Sequence, residues 1–243
     1  ILGSGDIGMI MARRLTLEGA HVQAVFEIQP YPSGLPRNIE QCLNDYDIPL
    51  YLSHTVTEIH GNSRLTGVTV SAVDEHFKPI PGTEREYRCD TLILSVGLIP
   101  ENELSIDAGV DLDSRTRGAM VDEYFQTGVE GIFAAGNVLH VHDLVDFVSM
   151  EAEDLAESAA EYVQRGRLPE CPLAVRTDGN INHTVPQRVS GTRAFKLSMR
   201  VNRPMKDCRV VVRQNGVELA SKKMKKAIPA EMIQLAVKAD RIA

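Results

Sequence analysis

The sequence is poor in aromatic residues and has no paired cysteine pattern. It contains no tryptophan, and aromatic residues make up only 5% of its 243 residues. So few aromatic side chains argue against a surface that stacks on single-stranded nucleic acid, and we expect no nucleic-acid partner. The four cysteines show no C-x-x-C or other metal or redox spacing, which predicts reduced thiols at Cys42, Cys89, Cys171 and Cys208.

Long apolar runs are also missing. No stretch is apolar for long enough to span a bilayer and no signal peptide is visible, so we expect a cytoplasmic protein with no membrane partner. The 43% hydrophobic content is still ample for globular cores, and the length predicts about two domains. Because the chain opens with Ile1 at the end of a strand, we expect it to be a piece of a longer polypeptide.

Acidic residues are scarce in the last third of the chain. Residues 166–243 contain 16 Lys and Arg against six Asp and Glu, whereas residues 1–165 contain ten against 27. This asymmetry predicts a boundary near residue 166 and a contact of the basic part with an acidic protein or a second copy. Lysine is densest at positions 222–226. The alternative to a partner contact is that these lysines form a solvated face.

The first 27 residues follow the order of a dinucleotide site: strand, G-x-G-x-x-G, helix, strand, acid. The glycines allow a tight turn, close approach of the pyrophosphate and close packing of helix on strand. The helix N-terminus offers N–H groups and partial positive charge to the phosphates. Glu27 lies 19 positions after the last glycine, where a carboxylate accepts bonds from a ribose diol. The cofactor-binding residues predicted here are Gly3, Gly5, Asp6, Ile7, Gly8 and Glu27.

The same acid predicts NAD rather than NADP as the nicotinamide cofactor. Glu27 would repel a 2′-phosphate, and no Lys or Arg lies between it and Arg37 to bind one. The alternative is a glycine-rich turn in another kind of parallel α/β unit, with Glu27 merely exposed.

The chain between this motif and residue 165 predicts further helices and strands. The apolar run at 91–96 is typical of a strand buried on both faces, and two strands before it form an antiparallel meander. Ser149 is a plausible N-cap for the last helix. The predicted helices cover 9–18, 37–46 and 149–164, and the predicted strands 22–26, 50–60, 65–73 and 91–96.

The last part of the chain has the pattern of an all-β region. Residues 195–201 alternate strictly between apolar and polar side chains. Gln214-Asn215-Gly216 between two apolar segments is a strong hairpin signal, and residues 232–237 predict a final strand. We therefore predict a small β-sandwich-like domain over residues 166–243.

Two later motifs complete a resemblance. Thr91 to Pro100 is similar to an "ATGRxPN" segment, and Thr127 to Asn137 is similar to "TxxxGvFAaGD". With the glycine motif, they make residues 1–165 resemble the FAD- and NAD(P)-dependent pyridine nucleotide-disulfide oxidoreductase superfamily. The resemblance implies an NAD(P)-binding domain over 1–97, part of an FAD-binding domain over 98–165, and hydride transfer between NAD(H) and flavin. The residues it implies for cofactor binding in these later segments are Gly97, Gly136, Asn137 and Ser149.

The sequence departs from that family in several places. The first glycine motif, which holds the ADP half of FAD, would lie upstream of Ile1, so we expect FAD in the full-length protein and no activity from this chain alone. Asn137 stands where the family has an aspartate, and Ile10 where it often has a glutamate near the nicotinamide. Without a C-x-x-C, a thioredoxin-reductase type of centre is not expected in this domain.

No catalytic side chain is predicted, because stacked flavin and nicotinamide rings exchange hydride directly. His140 and His142 form an H-x-H pair, but the sequence shows no third ligand, so no metal is predicted and structural or flavin-edge histidines are preferred. The alternative function is a non-catalytic electron-transfer or scaffold subunit of a multi-subunit dehydrogenase. Such a subunit would bind its partner through the basic β-domain.

Overall fold

The computed structural model describes residues 1–242, and the chain divides into two compact units, Ile1–Gly97 and Leu98–Ala243. Helices and strands are mixed in the way that the predicted α/β class with a C-terminal all-β region requires, which confirms that class. The three-domain division at 97/98 and 165/166 stays a prediction. None of the helices within residues 1–242 combines the length and the apolar character that crossing a membrane requires.

The first unit places helices on one side of a short parallel ladder and a meander on the other. Val25 contacts α1 and α2, whereas its neighbour Phe26 packs against Val68 and Val70 of the meander, because successive strand residues point to opposite faces. Its helices are α1 (Asp6–Leu17) and α2 (Pro36–Cys42), and its strands are β1 (Val25–Glu27), β2 (Leu50–Leu52), β3 (His54–His60), β4 (Gly67–Ala72) and β5 (Arg85–Tyr87).

Helix α1 begins directly after the glycine turn. Gly5 is its N-cap, and Asp6 puts a carboxylate in the first turn, where it complements the helix dipole. The helix ends at Leu17, and Gly19 at φ +92° follows it in the left-handed conformation that favours glycine. Met9 and Ala12 form the buried face. Ile10 and Met11 are exposed in this unit.

The parallel ladder brings the start of the chain between two segments. Strands β1 and β2 pair in parallel, with Val25 opposite Leu50. Leu2 forms parallel bridges with both Phe26 and Leu94. The glycine turn therefore leaves the carboxyl edge of the ladder beside the end of β1, which is where α/β sheets bind their ligands.

The predicted strand at 91–96 is not formed as a strand. Only the bridge at Leu94 pairs this segment, through Leu2 N–H to the Ile93 carbonyl at 2.8 Å and Ser95 N–H to the Leu2 carbonyl at 2.7 Å. Within the unit it has one neighbour and lies at the edge, so Leu94 and Val96 are 65% and 68% exposed rather than buried on both faces.

The meander is confirmed, with changed bounds. Strands β3, β4 and β5 pair antiparallel in that order. The single strand predicted over 50–60 is divided at Ser53, whose φ of +54° interrupts the extended backbone, so β2 joins the parallel ladder and β3 joins the meander.

The second unit joins an irregular segment and a long helix to strands. Its helices are α3 (Glu103–Asp107) and α4 (Val145–Arg165), and its strands are β6 (Leu173–Ala174), β7 (Ile181–Val185), β8 (Arg188–Val189), β9 (Phe195–Val201), β10 (Met205–Gln214), β11 (Val217–Ala227) and β12 (Ile233–Val237). Helix α4 ends at Arg165, and Gly166 follows it with φ +74°, in the left-handed region that favours glycine.

The C-terminal strands surround an apolar core. Strand β9 lies between β12 and β7, and β10 pairs with β11 across the predicted hairpin. Asn215 and Gly216 both have positive φ, as a two-residue type I′ turn requires. The buried residues of this core are Leu197, Met199, Val201, Val210, Ala227, Ile233 and Val237.

The close approach of Gly3 to the segment beside it yields a stability prediction. Gly3 has φ +99°, and a Cβ there would lie 2.0 Å from the Ser95 carbonyl oxygen. Gly19 has nearly the same φ but no atom within 4 Å of its would-be Cβ, so it is the matched control. We expect Gly3→Ala to lower the free energy of unfolding by about 2–4 kcal/mol and Gly19→Ala by about 1–2 kcal/mol.

Urea unfolding, monitored by circular dichroism, measures the free energy of unfolding of both variants. Equal losses would mean that the backbone conformation alone matters and that the Gly3 contact with Ser95 is unimportant.

Candidate functional site

The glycine turn leaves backbone N–H groups free at the start of α1. The first helical bond runs from Met9 N–H to the Gly5 carbonyl at 3.1 Å, so the N–H groups of Asp6, Ile7 and Gly8 have no acceptor within the helix. Ile7 is 70% exposed. This end of the helix can therefore accept an anion from the open side.

The three motif glycines have different surroundings. Cβ atoms at Gly3 and Gly8 would collide with protein, the latter lying 2.7 Å from the Gly3 carbonyl oxygen and 2.8 Å from Ser95 Cβ. A Cβ at Gly5 would meet nothing closer than 3.9 Å. Gly3 and Gly8 are thus needed for packing, whereas the space over Gly5 is open to a ligand.

Glu27 ends β1 beside this turn, as predicted, but its carboxylate is buried. The residue is 4% exposed. Its Oε2 accepts bonds from Ser4 N–H (3.1 Å), Ser4 Oγ (2.6 Å) and Ser33 Oγ (2.6 Å), and its Oε1 accepts from Gln29 N–H (2.9 Å). The bonds from Ser4 tie the acid directly to the glycine turn.

The loop after β1 folds over the same place. Asp6 Oδ1 accepts from Leu35 N–H at 2.8 Å and from Asn38 Nδ2 at 2.6 Å, and Ser33 N–H donates to Ser4 Oγ at 2.9 Å. Asp6 therefore holds the loop at the start of α1. Ser4, Ser33 and Asn38 were not predicted as parts of the site. Of the three, only Ser4 lies inside the glycine motif, where the sequence could have pointed to it.

Gly97 closes the first unit. It has φ +112°, which favours glycine, and its would-be Cβ has no atom within 4 Å. No described contact assigns it to a ligand, so its cofactor role stays a prediction.

The predicted flavin residues of the second unit form a tight turn. Gly136 begins a short 3-10 helix, Gly136–Val138, and its N–H donates to Glu151 Oε2 at 2.6 Å. Asn137 is exposed, and its Oδ1 accepts the His142 N–H at 3.1 Å. The Asn137 amide thus holds the following loop rather than standing free.

The prediction that Ser149 is an N-cap is wrong. Helix α4 begins at Val145 with Leu144 as its N-cap, which places Ser149 on an exposed position inside the helix. Phe147 and Val148, both half-buried, lie in the turn before Ser149, and the helix begins four residues earlier than predicted.

A buried cluster joins this loop to α4. His140 Nε2 lies 2.8 Å from Glu151 Oε1, and His142 Nε2 lies 2.9 Å from Glu151 Oε2. The side chains of His140, His142 and Glu151 are 1%, 4% and 9% exposed. Burial alone would raise the Glu151 pKa, but the bonds from both histidines and from Gly136 N–H outweigh it together and lower that pKa to about 2. The two histidines were recognised in the sequence, but a third residue that could bind a metal with them was not. The structure places Glu151 beside them.

The cysteines are free thiols in the described part of the chain. Burial, with Asp122 and Glu123 nearby, raises the pKa of Cys171 to about 12 and keeps this thiol protonated. Cys171 is thus no nucleophile at neutral pH.

The arrangement agrees with comparisons to known proteins. Residues 1–165 match the family described as pyridine nucleotide-disulphide oxidoreductase. The chain is 28% identical over 150 residues to an NAD(P)H sulfur oxidoreductase (CoA-dependent) of Pyrococcus abyssi, covering 60% of this chain and 30% of that protein. It is 33% identical over 148 residues to the mitochondrial dihydrolipoyl dehydrogenase of Caenorhabditis elegans, covering 57% of this chain and 28% of that protein.

A solved structure extends the comparison to the fold. Thioredoxin reductase of T. acidophilum superposes with a TM-score of 0.57 at 27% identity, covering 67% of this chain and 51% of that one. The matched part thus spans less than a third of each of the two curated relatives and about half of the solved chain. With the family match over more than half of its length, the chain belongs to the pyridine nucleotide-disulphide oxidoreductase family.

Proposed function

We propose that the whole protein transfers hydride between NAD(H) and FAD. The observation that carries the proposal is the Glu27 carboxylate, which ends β1 and is hydrogen-bonded to Ser4 of the glycine turn. Family membership supports an FAD- and pyridine-nucleotide-dependent oxidoreductase in general. The preference for NAD rests on Glu27.

The first unit fits a dinucleotide. The free N–H groups at the start of α1 would receive the pyrophosphate over Gly5, where no side chain fills the space. The Glu27 carboxylate is the acceptor that a ribose hydroxyl would bind, in exchange for one of the donors described at its oxygens. The buried negative charge would disfavour a 2′-phosphate at the same place.

The second unit would contribute to the FAD site through Gly136 and Asn137. This assignment rests on the family motif, because the described bonds of both residues go to the protein itself. The bound rings supply the hydride chemistry. The residues of this chain would bind and orient the dinucleotide and take no proton, and we assign no catalytic side chain.

Cofactor choice is tested at Glu27. In Glu27→Gln the repulsion of a 2′-phosphate is lost and one strong acceptor is weakened, so we expect NADH to bind about 10-fold more weakly and its advantage over NADPH to narrow. Titration of both dinucleotides, followed by fluorescence, measures the change. Glu75→Gln is the control, since the Glu75 side chain is 88% exposed and lies elsewhere in the first unit. Tighter binding of NADPH than of NADH to the unaltered protein would refute the choice of NAD.

The open space over Gly5 gives a second test. Gly5 has φ −61°, which alanine adopts freely, so we expect Gly5→Ala to leave the urea midpoint unchanged. The added methyl group would occupy the approach of the pyrophosphate and weaken NADH binding at least about 10-fold, equivalent to about 1.4 kcal/mol. Gly128→Ala, which adds a methyl group with no neighbour within 4 Å, is the control. Undiminished NADH binding by Gly5→Ala would place the dinucleotide elsewhere.

We also propose an acidic partner, or the acidic part of a second copy, for the β10–β11 hairpin. Lys222, Lys223, Lys225 and Lys226 are all exposed on β11. Arg209 lies opposite Lys223, and Lys206 lies opposite Lys226. Like charges directly opposite each other destabilise a strand pair. Arg209 is already ion-paired with Glu218, whereas a negative surface placed against Lys206 and Lys226 would relieve their repulsion.

Salt tests this contact. We expect association, measured by sedimentation velocity, to weaken steadily as NaCl rises from about 0.05 to 0.5 M, because exposed charges are screened over a Debye length of about 10 Å at 0.1 M. Lys223→Gln with Lys226→Gln should reproduce the effect at low salt, and Lys78→Gln with Lys238→Gln controls for net charge. Association that ignores both salt and the hairpin variant would exclude an electrostatic contact.

A further inference from the structure

We propose that His140, His142 and Glu151 form a binding site for a divalent transition-metal ion, with zinc as the ion best suited to the ligands. Each residue offers one ligand atom, and these atoms all lie within 4.8 Å of one another. Two imidazoles and one carboxylate are a ligand set that holds zinc with one coordination position left for water. The proposal rests on this geometry and is independent of the proposed dinucleotide chemistry.

The spacing of the ligands suits an ion after a small movement. In a tetrahedral zinc site with bonds of about 2.0–2.1 Å, neighbouring ligand atoms lie roughly 3.3 Å apart. The two Nε2 atoms lie 2.8 and 2.9 Å from different oxygens of Glu151, and the three candidate ligand atoms lie within 4.8 Å of one another, so an ion needs side-chain shifts of at most about 1.5 Å. Rotation of the side chains can supply this without moving α4.

The three candidate ligands are already shielded from water. The three side chains are at most 9% exposed, so they have little water to lose when an ion binds. A carboxylate ligand such as Glu151 would offset part of the charge of a buried dication. The Gly136 N–H also donates a hydrogen bond to the Glu151 carboxylate. This bond would orient the carboxylate, as hydrogen bonds to ligand residues do in metal sites.

A small cavity adjoins two of the three residues. A space of about 50 Å³ has His142 and Glu151 in its wall, together with Phe125 and Phe147. This volume holds one or a few waters but is far below the 300–1,000 Å³ typical of sites for small organic ligands. We therefore infer an ion with a bound water that stabilises the structure and takes no part in a reaction with a substrate.

The ion would connect two segments. His140 and His142 belong to the loop after the Gly136–Val138 turn, and Glu151 belongs to α4. Asp143 continues the same loop and is ion-paired with Arg200 of β9, whose Nη2 also donates to the Val141 carbonyl at 2.9 Å. A metal ion would thus fix the part of the loop that these bonds already hold to the β-region.

The test measures metal binding directly. The protein, prepared without a polyhistidine tag and stripped with a chelator, is titrated with Zn²⁺ in a calorimeter and with Co²⁺ in a spectrophotometer. We expect one ion per chain, and for Co²⁺ the visible bands of a four-coordinate ion without the near-ultraviolet band of thiolate ligands. No stoichiometric uptake, or a thiolate band, would overturn the proposal.

Variants assign the site to its ligands. We expect His142→Gln and Glu151→Gln to bind Zn²⁺ at least about 100-fold more weakly, since loss of an outer partner alone costs 10–100-fold. The glutamine in His142→Gln can still donate to Glu151, which preserves the fold, and circular dichroism verifies this. His76→Ala with Glu75→Gln is the matched control, because this exposed pair has its nitrogen and oxygen 3.7 Å apart. Unchanged affinity in His142→Gln and Glu151→Gln would refute the site, whereas NADH binding tests the proposed function separately.

Discussion

A carboxylate can be buried only when it receives enough hydrogen bonds, and this constraint shapes the first unit. Glu27 is 4% exposed and accepts bonds from Ser4, Ser33 and Gln29. To supply them, the glycine turn, the end of β1 and the following loop must converge on one point. The position of the loop over α1 thus follows from the acid as much as from the glycines.

The second unit meets the same constraint differently. Glu151 is held by two imidazoles and one backbone N–H, so its donors come from a turn and a loop that precede α4 in the chain. Neutral imidazole can donate a proton to a carboxylate or give a lone pair to a metal. The same cluster can therefore exist with or without an ion, whereas the donors described at Glu27 are serine hydroxyls and backbone N–H groups, which do not ligate a cation through nitrogen.

The features that were predicted correctly from the sequence are local ones. The glycine turn, the alternation over 195–201 and the Asn215-Gly216 turn each depend on a few neighbouring residues, and all three occur in the structure. The segment at 91–96 was predicted wrongly because an apolar composition does not say how many neighbours a strand has. Ser149 was placed at the helix start because capping residues also occur inside exposed helix faces.

The part of the site that was predicted correctly is also local in the sequence. Gly3, Gly5, Gly8 and Glu27 lie in a spacing that physical chemistry makes recognisable. Ser33 and Asn38 contact the motif from 29 and 32 residues away, and Glu151 contacts His140 across a turn and a helix start. Such contacts depend on how loops fold back, which composition and periodicity do not encode.

The loop that covers Glu27 has a kinetic consequence for the proposed dinucleotide. Because Glu27 is 4% exposed and Ser33 and Leu35 are bonded to Ser4 and Asp6, the proposed ribose would reach the carboxylate only after the loop moves. If one molecule in a hundred were open, the apparent affinity would fall about 100-fold from that of the open form. Each bond that holds the loop closed would lower that open fraction further. The loop would thus set how fast the dinucleotide enters, and its tendency to re-form these bonds would compete with the ribose and hasten release.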